Sequence, residues 1–91
     1  MKKSTFIKSV HKALRDAGIS HGRMGDGVRY ESSHGSDIMT INVISAFNCS
    51  MTVRYKHVGA VVEALESAGI VCSGATGILV DIRFADNGVE D

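Results

Sequence analysis

Two stretches of this 91-residue chain repeat one another, and the repeat limits what the chain can fold into. Ala13-Leu14-Arg15-Asp16-Ala17-Gly18-Ile19 leads through a glycine-rich turn into Val28-Arg29-Tyr30. Ala64-Leu65-Glu66-Ser67-Ala68-Gly69-Ile70 leads through a second one into Ile78-Leu79-Val80-Asp81-Ile82. Each copy reads as a helix stopped by glycine, a reversal and a strand, because glycine enters the left-handed region without a Cβ clash.

Phe6, Val10, Ala13, Leu14 and Ala17 recur at spacings of three and four. They define the inner face of a helix over about residues 5–17, with Ser4 as its N-cap. Lys8, His11, Lys12 and Arg15 fall on the opposite face. A loop over residues 20–27, a short strand over 28–32 and a turn over 33–37 follow. Residues 38–45 alternate Met39, Ile41 and Val43 with Thr40 and Asn42, the period of a half-buried strand. Residues 46–49 read as a hairpin connection to a third strand over residues 51–56, which are rich in β-formers. A helix beginning near Ser50 is the alternative, since Met51, Tyr55, Val58, Val62 and Leu65 also recur at helical spacing. A second helix over about residues 58–68 turns Val58, Val61, Val62 and Leu65 inward and Glu63 and Glu66 outward. After a turn over residues 73–77 comes the strongest strand, residues 78–84, with Ile78, Val80, Ile82 and Phe84 on one side.

The order α-β-β-(β)-α-β predicts an α+β fold. Both helices should cover one face of a small, mostly antiparallel sheet of three to four strands in a two-layer sandwich. Residues 1–84 should form one domain, and residues 85–91 a flexible acidic tail. Tyr30 and Tyr55 are expected in the core. The uncovered sheet face is expected to carry Arg29, Glu31, Thr40, Asn42, Thr52, Arg54, Asp81 and Arg83.

Net charge is zero, but residues 1–30 carry seven Lys/Arg and two Asp/Glu, whereas residues 31–91 carry three and eight. Such polarity marks either a surface for a charged partner or two halves that neutralise each other in the fold. Lys8, Lys12 and Arg15, spaced i, i+4, i+7, line up on the first helix. With Arg23, and with Lys2 and Lys3, they form the candidate partner-binding patch. The row has no interleaved aromatic side chains, which argues against single-strand nucleic-acid binding.

The remaining residues give no catalytic or metal signature. His11, His21, His34 and His57 show no pair at helical ligand spacing, and there is no Cys-x-x-Cys. No Gly-x-Ser-x-Gly is present, and no cofactor is expected. Two cysteines, Cys49 and Cys72, do not make a disulfide framework, although a bridge between them stays open. No apolar run approaches the roughly 18 residues of a membrane span. The N-terminus begins like a signal peptide, but Lys8, Lys12 and Arg15 interrupt it, so a cytoplasmic protein is expected. Gly22-Arg23-Met24-Gly25 resembles the Gly-x-x-Gly clamp of KH-type RNA-binding domains. That clamp sits between two helices, whereas here one helix precedes it and a strand follows.

Leu14 with Ala17-Gly18, Leu65 with Ala68-Gly69 and the final apolar strand together resemble a group of short accessory proteins from bacteria and their phages. Those proteins have a helix–strand–strand–helix–strand layout. The resemblance implies no catalytic residue. It implies a small accessory protein, such as a phage-encoded inhibitor of a host defence, that acts by binding. The expectation is therefore a non-enzymatic module binding a protein partner, with nucleic-acid binding through the first helix and residues 22–27 as the alternative. A homodimer is also compatible with an exposed sheet edge.

Overall fold

The two repeated helix ends fold alike. The computed structural model, which describes residues 1–24, 27–45 and 49–89, contains α1 (Lys3–Asp16) and α2 (Met51–Ser67). Each helix closes in a glycine at φ +81°, Gly18 and Gly69. After α1 the Gly18 amide donates to the Arg15 carbonyl at 3.0 Å and the Ile19 amide to that of Leu14 at 2.9 Å. After α2 the Gly69 amide donates to Glu66 at 2.9 Å and the Ile70 amide to Leu65 at 3.0 Å. This is a Schellman closure in both places, and its apolar partners (Leu14 with Ile19, Leu65 with Ile70) are all buried.

Five strands form one sheet: β1 (Ser20–His21), β2 (Arg29–His34), β3 (Ile38–Ile44), β4 (Gly74–Thr76) and β5 (Leu79–Arg83). Their order is β1-β2-β3-β5-β4, antiparallel throughout except for the parallel pair β1–β2. Without β1, each half is a helix followed by a hairpin. The two hairpins meet antiparallel at β3 and β5, so an approximate twofold passes between those strands. The halves differ in their connections: residues 17–28, which contain β1, join α1 to β2, whereas residues 68–73 join α2 to β4.

Alternation sorts the sheet into two faces. Tyr30, Met39, Ile41, Val43, Val80 and Ile82 point inward and are buried. Phe6, Val10 and Leu14 of α1 and Val58, Val61 and Leu65 of α2 cover them. Both helices thus lie on one face of the sheet, the α+β arrangement expected. Thr40 and Asp81 pair on the outer face at 3.2 Å. Cys49 and Cys72 are free thiols.

Several local expectations give way. Residues 51–56 are helix, not strand. The Ser50 hydroxyl accepts from the Val53 amide at 3.3 Å and caps α2, so the helical period of Val58, Val61 and Leu65 extends backwards over β-prone residues. Thr52 and Arg54 therefore leave the sheet face. Tyr55 is 58% exposed rather than core, since on a helix it no longer alternates inward with Met51 and Val53. The cap of α1 is Lys2, without a side-chain bond, and Ser4 lies inside the helix. Residues 20–21 and 74–76, expected in a loop and a turn, pair as β1 and β4. Ile78 precedes β5 and is exposed. The chain after Phe84 is not loose at its start. Ala85–Asn87 forms a 3-10 turn, and the Asn87 side chain bonds Val71 at both its amide (2.7 Å) and its carbonyl (3.0 Å). The expected connection at residues 46–48, the loop positions Gly25 and Asp26, and the tail residues 90–91 lie outside the described residues.

Candidate functional site

The inner stripe of α1 is used by the core, which leaves one flank of the helix for chemistry. Lys8, Lys12 and Arg15 are exposed on it, as their spacing predicts. Lys12 reaches Asp16 at 2.6 Å, an exposed i, i+4 pair. Arg15 forms no ion pair among the described residues. Arg23 does not join this row as a free cation, because it pairs with Glu31 on the outer face of β2.

His11 departs further from expectation. It is half-buried, and its Nδ1 lies 2.6 Å from the Tyr30 hydroxyl. Tyr30 comes from the inward face of β2 and is 2% exposed. The parallel pairing of β1 sets His21 opposite Tyr30. The His21 ring meets the Tyr30 ring edge-on at 5.1 Å and the His11 ring edge-on at 5.7 Å. These three rings wall a pocket of about 420 Å³ between α1, β1 and β2. Arg15, Ser20 and Ser32 supply its polar rim. No carboxylate lines it.

Burial, with His21 and Arg15 nearby, holds the His11 ring below its ordinary value of 6.5. Burial also pushes the Tyr30 phenol up, against a smaller opposing pull from Arg15. His11 Nδ1 and the Tyr30 hydroxyl share one hydrogen bond, which leaves Nε2 as the ring nitrogen without a partner among the described residues. The linkage has a definite sign. As pH falls through about 6.5 the unfolded chain protonates His11 while the folded chain resists. The unfolded state then binds more protons, so this contribution to stability is complete above that pH and is lost below it, until the folded ring itself titrates. In His11→Asn, whose oxygen still accepts from Tyr30, the urea midpoint should fall less between pH 7 and pH 5 than in the wild type. Equal falls in both proteins would contradict this.

The Ser45 hydroxyl and His57 Nδ1 are 2.7 Å apart and tie the end of β3 to α2. Burial, aided by the Glu66 carboxylate, pushes the Cys72 thiol up and keeps it protonated and weakly nucleophilic. Among the described residues no three His, Cys, Asp or Glu side chains converge on a metal position, and no helix is long and apolar enough to cross a membrane.

Sequence reasoning missed the ring cluster because its members come from α1, β1 and β2, far apart in the chain. The one local signal was His11 and Arg15 at i, i+4, which places an imidazole and a guanidinium on one flank. No family model, curated protein or solved structure matches the chain.

Proposed function

We propose that this protein is a small non-enzymatic binding module that docks an acidic protein partner on the basic flank of α1. The observation that supports the reading is the row Lys8–Lys12–Arg15: three exposed cations, about one turn apart, on a helix whose apolar stripe is already occupied. Clustered charge of one sign steers an oppositely charged surface into contact. Asp16 pairs with Lys12, and the acidic residues Glu63 and Glu66 stand on the other helix, so Lys8 and Arg15 carry the flank's unpaired charge among the described residues. A reducing cytoplasm suits two free thiols. In the phage-type accessory role that the layout resembles, the partner is a host protein with an acidic face.

Affinity capture from the native cell tests this. A protein retained by the wild type should be lost by Lys8→Glu/Lys12→Glu/Arg15→Glu, with the circular dichroism of the two forms matching. Retention of the same protein by both forms would overturn the reading. A duplex gel shift that the triple variant abolishes, with a steep salt dependence, would reassign the flank to nucleic acid.

A further inference from the structure

We infer that the pocket between α1, β1 and β2 binds a phosphate group, free or carried on a larger molecule, through Arg15, His21 and Nε2 of His11. This goes beyond the docking role of the helix flank. It shares Arg15 with that flank but stands on the ring cluster.

The donor set is one-sided. The Tyr30 hydroxyl occupies Nδ1 of His11, which leaves Nε2 without a hydrogen bond among the described residues and open to donate to an anion. Arg15 is unpaired there as well, and Ser20 and Ser32 line the same pocket. A pocket with a cation, two imidazoles and no carboxylate matches an oxyanion with several acceptor oxygens. Its volume is of the order of a small-molecule cleft, which runs from roughly 300 Å³ upwards. A phosphate with a small organic group attached therefore fits as well as the free ion.

The twofold supplies the comparison that separates a ligand site from mere structural filling. The Arg15 and Glu66 carbonyls each accept the amide of the capping glycine, so the two residues occupy one position in two copies of the same frame. Four residues earlier, His11 corresponds to Val62. The flank of α2 also borders a pocket, but Val62, Glu66 and Ala75 line it. The frame is thus completed on one side without any imidazole or cation. The polar cluster on the other side is not required by helix–sheet packing. The longer connection of the first half, residues 17–28, contains β1 and sets His21 beside Tyr30 at the pocket.

The four histidines make the test internally controlled. In NMR titrations of the whole protein with inorganic phosphate, chloride holding ionic strength constant, the ring protons of His11 and His21 should shift saturably. Those of His34 and His57 should not. Arg15→Gln, at an exposed position, should weaken this response roughly ten- to a hundred-fold, as loss of a charge-assisted contact does. A phosphoserine peptide in place of the free ion distinguishes the sources: tighter saturation by the peptide assigns the phosphate to a modified protein, tighter saturation by the ion to a small molecule. Equal, non-saturating shifts at all four rings would overturn the inference, as would acetate acting on the same two rings with equal strength. No partner protein is needed, so failure here leaves the capture result standing, and failure of capture leaves this one.

Discussion

Leu65→Ala is expected to lower stability by about 2–5 kcal/mol, the range for a buried leucine truncated in a packed core. Leu14→Ala should cost a similar amount. Each leucine is fully buried, each closes its helix against the isoleucine beyond the glycine, and each stands at the same place in its half of the molecule. In a domain of this size such a loss shifts Tm by about 10–30 °C. Thermal melts of both variants check it. A drop in one variant and none in the other would show that the halves do not share a single core.

Gly18→Val and Gly69→Val should each cost about 1–2 kcal/mol, because a side chain held in the left-handed region crowds its own carbonyl. Space is not the cause, since a Cβ at either glycine would meet nothing within 4 Å. The cost comes from φ +81° alone. Asn at either position should recover part of it, since Asn visits this region more readily than other L residues. Urea denaturation of the two variants at each site measures the difference. Equal loss for Val and Asn would contradict the conformational origin.

The glycine ends of the helices and the core stripes were legible because they are local: a Leu-x-x-Ala-Gly end and spacings of three and four need no knowledge of neighbours. β3 was legible for the same reason, through Met39, Ile41 and Val43. The start of α2 was not, because Thr52, Val53 and Tyr55 favour strands and only a cap at Ser50 with packing from Val58 onward reverses that preference. β4 was hidden because Gly74, Ala75 and Thr76 have no apolar alternation to show; their place follows from pairing with residues 79–81 of β5. His11 lies at the border of its helix's buried stripe. Whether such a residue meets solvent or a partner depends on what stands beside the helix. Here that is Tyr30, brought there by the sheet and not by sequence proximity. The charge gradient along the chain was visible from the start. Its spatial meaning, cations on one helix flank and carboxylates on the equivalent flank of the other, required the twofold.

Matched charge reversal on the two flanks tests most directly that recognition belongs to the first half of this near-symmetric frame. One protein carries Lys8→Glu, Lys12→Glu and Arg15→Glu, the other Glu63→Lys and Glu66→Lys, and both are used to capture the partner of the wild type. The α1 variant should lose the partner while the α2 variant keeps it. Loss by the α2 variant with retention by the α1 variant, or equal retention by both, would contradict the account.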